Sequence, residues 1–526
     1  MLIWVSIIIL SRYVTSYNIL VYSPTISKSH MIMNGRIADA LANDGHNVTL
    51  METDLVEYPG SLKTVKYANH WTETFEWPQR VRDLTHGADM LSYSIMNAVR
   101  MLDSMNRFSA SACLALLRDQ RLMTKIESGN FDVIMFEQFD VCPFIISHIL
   151  NIPVKIWMSS CPIMEHQAEL AGVPAAYSFV PSSLNGFAGD RMSLSERFWN
   201  TIQSFLLKYH YLDYWHDFHE ELKTEFGHNF PHPSDLAKET ELILVNTDEL
   251  VDFPRPLPPN VIHIGGLGMD KVDTSLPDDY VNIMSRGKNG IIYFSFGSVV
   301  PTNALPQVYM KNIIDSFGRM QDYYFVVKIS KNDTFSRQYS SRFSNVYTRS
   351  WVPQTGVLAH DRLKLFITHG GYNSIMEASR YSVPLLLIGM FGDQPRNSKL
   401  VERNGWGLSL DKTSLLYGSQ EFEEKMKELL TNKKYKQTAI RTTQLLKTKP
   451  QTGEQRLLSY VRFLELNNGR LPELRMIANE LSHIEYFNLD VLAILIATGC
   501  VVTAAAVYIV SRVLQVVVNS RKVKVD

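Results

Sequence analysis

Leu365-Phe366-Ile367-Thr368-His369-Gly370-Gly371-Tyr372-Asn373-Ser374 is an apolar run that stops on a histidine and two glycines and continues into hydrogen-bonding residues. A strand that ends in glycines and opens a helix is the join where open α/β sheets bind ligands, outside the carboxyl ends of their strands. Glycines let the backbone approach a bound group, the helix start presents N–H groups and positive charge, and Asn373 and Ser374 add donors. The join therefore favours an anion. A glycine turn with a capping histidine could serve structure alone, so the neighbours carry weight: Trp351-Val352-Pro353-Gln354 before it, then Glu377, Val383-Pro384 and Asp393-Gln394.

Outward from this stretch, residues 291–295, 325–328, 365–368 and 385–388 read as strands of one α/β domain, residues 288–445. Ser298 follows the first of them in Phe296-Gly297-Ser298, where a helix N-cap is its structural role. The same alternation precedes it: residues 18–22, 48–51, 133–136 and 154–158 read as strands, and 36–42 as a helix that Gly45 ends. These make a first domain, residues 17–252. Phe253-Pro254-Arg255-Pro256-Leu257-Pro258-Pro259 can continue neither helix nor strand and opens a linker region, 253–287. The expected architecture is α/β, two Rossmann-like domains that face a cleft. Residues 71–121 and 174–230 are aromatic and poorly periodic, which suits helical core or an apolar pocket.

With 526 residues, 45% hydrophobic and 20% charged, the chain is a multi-domain globular protein rather than a disordered or many-span one. Lys plus Arg total 52 against 53 Asp plus Glu, so no overall field draws nucleic acid, and no basic patch interleaved with aromatics supports binding it. Cys113, Cys142, Cys161 and Cys500 are too few and irregular for a disulfide framework or a zinc set, and leave the compartment undecided. No Asp-x-Asp occurs to clamp a divalent metal on a diphosphate, so no metal or resident cofactor is expected.

Residues 2–10 are apolar but too short to span a bilayer, and small residues follow; residues 1–16 read as a signal peptide, with a buried first strand as the rival. Residues 491–511 carry no charge, and at about 1.5 Å per residue they cross a hydrocarbon core of about 30 Å. Acidic Glu473, Glu480, Glu485 and Asp490 precede this stretch, and basic Arg512, Arg521, Lys522 and Lys524 follow. That asymmetry predicts one transmembrane helix, a lumenal body and a cytosolic tail, 512–526. Lys522-Val523-Lys524-Val525-Asp526 resembles a dilysine endoplasmic-reticulum signal, though a basic stop-transfer flank has the same composition. The expected location is the endoplasmic reticulum membrane, single-pass.

Taken with its surroundings, the stretch from Trp351 to Gln394 closely resembles the signature of the UDP-glycosyltransferases, the membrane-bound glucuronosyl- and glucosyltransferases, and the resemblance extends from the first strand to the terminal span. It implies the GT-B fold, with a UDP-sugar as co-substrate on the second domain and a small lipophilic alcohol or phenol on the first. It further implies that Trp351 stacks on uracil, Gln354 bonds the uridine, and Glu377 accepts from the ribose hydroxyls. Ser298, His369, Gly371, Asn373 and Ser374 would meet the diphosphate, and Asp393 and Gln394 the sugar. Residues 446–490 would return as a helix to the first domain and then approach the membrane. The sequence departs from the family at Ser382, where glycine is usual, and at Gly389, where proline is usual; the resemblance places both beside the sugar.

An acceptor hydroxyl must lose its proton as it attacks, which calls for a base. In Lys28-Ser29-His30, after the first strand, His30 occupies the position of the family's catalytic histidine. Its partner there is an aspartate; here Glu137 ends the corresponding strand, and Asp140 is the nearby alternative. His46 precedes the second strand and reads as structural. Of two glycosylation sequons, at Asn47 and Asn332, the second is the expected acceptor because the first overlaps a strand. The rival functions are an epimerase or hydrolase on the same fold, or a UDP-sugar-binding partner without catalysis. Homo-oligomer formation is left open.

Overall fold

The computed structural model describes residues 16–25, 27–54, 64–74, 91, 95–269, 272–298 and 300–522. All but the last residue of the expected signal peptide, and all but Lys522 of the dilysine-like tail, lie outside the described residues.

Residues up to Arg475 form one unit built on two parallel sheets. The first contains β1 (Asn18–Pro24), β2 (Asn47–Asp54), β3 (Asn69–Thr74), β4 (Val133–Glu137), β5 (Val154–Ser159), β6 (Leu242–Val245) and β7 (Val261–His263), ordered β3-β2-β1-β4-β5-β6-β7. The second contains β8 (Gly290–Ser295), β9 (Tyr323–Lys328), β10 (Val346–Arg349), β11 (Leu363–Thr368), β12 (Leu385–Leu387) and β13 (Gly407–Ser409), ordered β10-β9-β8-β11-β12-β13. Strands covered on both faces bury every side chain, which is why they read as continuous apolar runs; β4, β5, β6 and β8 are buried throughout. The strands not foreseen are β3, Asn-His-Trp-Thr-Glu-Thr, and four of only three or four residues, β6, β7, β10 and β13.

β7 revises the domain boundary. It pairs with β6 in parallel, Ile243 against Val261, so the proline-rich stretch at 253–259 is a loop within the first lobe. The crossing to the second lobe comes only after His263. The reason is topological: prolines interrupt hydrogen bonding for a few residues, but the apolar Val261-Ile262 that follows still completes the sheet.

Helices of the first lobe include α1 (Lys28–Asn43), α2 (Ile95–Arg118), α3 (Cys142–Ile149) and α4 (Leu194–Phe226). α1 starts eight residues before the expected position 36, because the Ser27 side chain caps it by accepting from the His30 N–H. The helical part of the second aromatic stretch is core packing: α4 buries Leu207, Tyr211, Trp215, Phe218 and Leu222, while much of the first stretch lies outside the described residues. Cys113 and Cys142 form a disulfide, Cα atoms 5.2 Å apart, that ties α2 to α3.

The second lobe includes α5 (Gln354–Ala359), α6 (Tyr372–Arg380), α7 (Gln394–Asn404) and α8 (Lys433–Thr448). The chain then returns as α9 (Gly453–Leu466), which inserts Leu457, Val461 and Leu464 into the core beneath β1 and β4. The lobes are also joined directly. The Arg396 guanidinium of α7 donates to Asp252 at 2.8 Å, Asn246 donates to Asn373 at 3.1 Å, and the Asp248 N–H donates to the Tyr372 hydroxyl at 2.9 Å.

Residues 476–526 are a second unit. Its helix α10 (Leu489–Lys522) contains, within Leu489–Asn519, an 18-residue window of mean hydropathy 2.4, long and apolar enough to cross a membrane.

Leu457 is fully buried in the core of the lobe to which α9 returns. Leu457→Ala is expected to lower unfolding free energy by about 3 kcal/mol, from lost transfer energy plus the cavity left behind. Denaturant unfolding checks this, and a loss below about 1 kcal/mol would show that α9 is not part of that core.

Candidate active site

In each sheet the strand order reverses at one point: between β1 and β4 in the first, between β8 and β11 in the second. Loops leaving adjacent strands there part in opposite directions and open a crevice. Both halves of the candidate site occupy these positions.

His30 lies in the first turn of α1, after β1, and Glu137 is the last residue of β4. Their side chains meet, His30 Nδ1 to Glu137 Oε2, at 2.5 Å. The other carboxylate oxygen accepts from Asn34 Nδ2 at 2.8 Å, and the same amide donates to Ser23 Oγ at 2.9 Å. Glu137 and Asn34 are almost wholly buried, which fixes the carboxylate. Burial would lower the His30 pKa, but the charge and hydrogen bond of Glu137, helped by Asp393, outweigh it and the pKa is raised. Burial would raise the Glu137 pKa, yet His30 and the bonds from Ser160 and Asn34 hold it below the ordinary value. The influence of Asp393 on His30 reaches across from the second lobe.

Asp140 does not serve His30. It accepts from Ser109 Oγ at 3.2 Å and from the Cys142 N–H at 2.8 Å, and burial pushes its pKa up to about 6. His46 is structural, its Nδ1 accepting from the Tyr17 N–H at 3.2 Å.

In the second lobe, Gly297 after β8 and Gly370 after β11 both have positive φ, 71° and 84°, where a side chain would be strained. His369 packs against Gly297; a Cβ there would lie 2.6 Å from the ring. Burial, then the Lys328 charge, pushes His369 down to about 4, so it stays neutral at physiological pH. Gly371 precedes α6 with no side-chain cap, which leaves the helix's first N–H groups available. Ser298 is exposed in the turn after β8.

The remaining residues form a polar chain. Gln354 receives from the Tyr293 hydroxyl at 3.1 Å and donates to Glu377 Oε2 at 2.6 Å and Ser374 Oγ at 3.4 Å. Burial raises the Glu377 pKa against the opposing effects of Gln354 and of Arg36 on α1. Trp351 is 62% exposed, its carbonyl held by the Tyr280 hydroxyl at 2.9 Å, and with Pro353 and Gln354 it lines an open cavity of about 510 Å³. Asp393 accepts from Asn397 at 2.8 Å, while Gln394 Oε1 accepts the N–H groups of Met390 and Phe391 at 3.1 and 3.3 Å. Asn373 is turned to Asn246 of the first lobe.

Sequence reasoning missed two participants. Asn34 holds Glu137, and its spacing of four from His30 on one helix face was the available signal. Lys328 ends β9 as a charged residue after an apolar run, and its Nζ donates to the Gly297 carbonyl at 3.0 Å. Burial and the nearby charge of Lys28 from the first lobe lower its pKa. A shielded cation beside a glycine turn favours an anionic ligand there.

Comparison with known proteins agrees with this geometry. Residues 18–524 match the family described as UDP-glucoronosyl and UDP-glucosyl transferase. The chain belongs to the UDP-glycosyltransferase family. The putative UDP-glucuronosyltransferase ugt-48 of Caenorhabditis elegans is 34% identical over 97% of both chains. Human UDP-glucuronosyltransferase 3A2 is 28% identical over 90% of this chain and 89% of its own. The solved structure of Phytolacca americana UGT2, complexed with UDP-2-fluoro-glucose and pterostilbene, superposes with a TM-score of 0.54 at 16% identity, covering 85% of this chain and 99% of that one. That likeness establishes the GT-B fold of this UDP-glycosyltransferase.

The two departures from the family pattern have separate reasons. Ser382 has φ 57°, a glycine-favouring conformation; its hydroxyl meets Thr443 Oγ1 at 2.7 Å and its carbonyl accepts from Lys436. It faces α8 rather than the sugar site, which corrects the expectation for this position. Gly389 lies under α7, where a Cβ would be 2.7 Å from the Pro395 backbone.

In this UDP-glycosyltransferase, Gly389→Ala is therefore expected to displace α7 and raise the KM for UDP-sugar, while Ser382→Gly changes stability by less than about 1 kcal/mol. Steady-state kinetics and thermal melts of the pair decide it; equal KM values for Gly389→Ala and wild type would refute the first. Lys328→Met is expected to raise the UDP-sugar KM roughly tenfold through loss of a charge-assisted contact, and an unchanged KM would remove Lys328 from the donor site.

Proposed function

We propose that this UDP-glycosyltransferase moves a hexose or hexuronic acid from a UDP-sugar to the hydroxyl of a small lipophilic alcohol or phenol, with inversion at the anomeric carbon. The observation that carries the reading is the His30–Glu137 pair at the crevice, within electrostatic reach of Asp393 from the opposite lobe. Glu137 occupies Nδ1, so Nε2 is the nitrogen left to take the acceptor proton. The acceptor oxygen attacks the anomeric carbon on the face opposite UDP. The bond to the diphosphate oxygen breaks, its electron pair leaves with UDP, and His30 holds the proton as an imidazolium that Glu137 stabilises.

On the donor side Trp351 offers a free aromatic face to the base, Glu377 a carboxylate to the ribose diol, and Gln354 an amide to the uridine. The diphosphate is read as meeting Gly371 and the first N–H groups of α6, Asn373, Ser374, Ser298, Lys28 and Lys328, with neutral His369 as an N–H donor. In this scheme protein groups stabilise the leaving group without a metal. Asp393, and the Gln394 amide nitrogen left by its own oxygen's bonds, hold sugar hydroxyls. An apolar acceptor is supported by Phe139, whose ring centroid is 5.7 Å from that of His30 and which packs on Leu102, Met164, Leu207 and Tyr211.

The body is placed in the endoplasmic-reticulum lumen with α10 as the anchor, and the basic residues after the apolar stretch face the cytosol. The Cys113–Cys142 disulfide suits an oxidising compartment, and Asn332 is exposed as a glycan acceptor must be.

The test is mass-spectrometric detection of conjugates from UDP-glucose or UDP-glucuronate with a panel of lipophilic alcohols and phenols. His30→Ala should reduce turnover by roughly 10²–10⁴ while UDP affinity stays unchanged. Turnover equal to wild type would eliminate His30 as base, and free sugar without conjugate would indicate hydrolysis. The base must be unprotonated to act and its pKa is raised, so the acid limb of kcat/KM should lie above the free-histidine value of about 6.5. Glu137→Gln should move that limb to lower pH and lower the plateau; an unmoved limb would separate Glu137 from the titration of His30.

A further inference from the structure

At the carboxyl ends of β6 and β7, a cavity of about 170 Å³ opens beside the proline-rich loop. Ile163, Val245, Phe253 and Leu257 give it apolar walls, and Arg255 contributes a guanidinium. That guanidinium makes no hydrogen bond or ion pair among the described residues, and its Nε is shielded from solvent. Glu165 and Asp252 act on Arg255 through space but take their hydrogen bonds from other donors. Asp252 accepts from Arg396 at 2.8 Å and from the Phe253 N–H at 2.7 Å, Glu249 pairs with Arg456, and Glu165 accepts from the Ser183 N–H and Oγ at 2.8 and 2.6 Å. Arg255 is thus a half-buried cation at a cavity of mixed lining, close to the buried Arg396, with a shielded Nε–H that no acceptor answers. Burial first, and then Arg396, pushes its pKa down to about 10, which still leaves it charged at physiological pH.

A shielded N–H donor without a partner costs stability unless something answers it. Its planar fork matches a carboxylate, and the position at strand carboxyl ends is where parallel sheets receive ligands. Glu249 and Asp252 also line the cavity, so a dianion such as phosphate meets more repulsion than a single carboxylate does. We propose that this cavity is a second ligand site, separate from the donor and acceptor crevice, that binds a small organic monocarboxylate through Arg255 with its apolar body against Phe253 and Leu257. The loop that would hold the ligand also supplies Asp252 and Phe253 to Arg396, whose guanidinium lies 4.9 Å from the Phe253 ring centroid.

The probe is benzoate, with benzamide as its uncharged counterpart, titrated calorimetrically into the full chain in nanodiscs at saturating UDP. Benzoate should bind one to one, and both benzamide to wild type and benzoate to Arg255→Met should be at least roughly tenfold weaker. Without ligand, Arg255→Met should melt at or above the wild-type temperature, because a partly shielded charge with an unanswered Nε–H is removed. The site is refuted by absence of saturable benzoate binding, by benzamide binding as tightly, by unchanged benzoate affinity in Arg255→Met, or by displacement of benzoate by UDP. If Arg255→Met does not fold, the benzoate–benzamide comparison on wild type decides alone.

Discussion

Parallel strands can bind a ligand only where the connections on either side of a strand pair leave in opposite directions, and the function of this chain follows from having two such points face one crevice. β1 and β4 bring His30 and Glu137 together although 107 residues separate them. β8 and β11 do the same for Gly297 and His369. Neither pair is adjacent in sequence, and each is held by strands buried on both faces, so side chains at their ends inherit the rigidity of the sheets.

Around His30 two opposing effects of burial are set against each other. A shielded imidazole resists protonation, and a shielded carboxylate resists ionisation; placed 2.5 Å apart, each reverses the tendency of the other. Asn34 completes the arrangement by holding the oxygen of Glu137 that His30 does not use. The longer side chain of glutamate is accommodated because the carboxylate is clamped from both sides, so the family's aspartate is not needed for contact. His369 receives no such partner and stays neutral, suited to donating a hydrogen bond where His30 is suited to taking a proton.

The crevice keeps its shape because the second lobe's site helices are tied to the first lobe. α6 carries Tyr372 and Asn373 to Asp248 and Asn246, and α7 carries Arg396 to Asp252 and Arg403 to Asp190 at 2.8 Å. These helices also present Ser374, Glu377 and Gln394, so groups proposed to meet the donor and groups that join the lobes share the same short elements. A buried ion pair such as Arg396–Asp252 adds little net stability, yet breaking one side of it is costly, which makes it a device for position rather than for strength.

The stretch from Trp351 to Gln394 was legible because ligand chemistry demands particular residue types at particular spacings along one strand–turn–helix join, and such local demands are written consecutively. The apolar strands were legible for a similar reason: burial on both faces leaves continuous runs, as at β4 and β8. β3 and β7 were not, since an edge strand with one aromatic among five polar residues, or one of three residues, has no pattern that distinguishes it from a loop, and its identity comes from the neighbour that pairs with it. The same holds for the site. Sequence alone established His30, Glu377 and the glycine turn as candidates, whereas the choice of Glu137 over Asp140, the clamp by Asn34, the bond of Lys328 to the Gly297 carbonyl and the unanswered Nε of Arg255 were decided by tertiary structure, because each depends on distances between segments that the order of residues does not constrain.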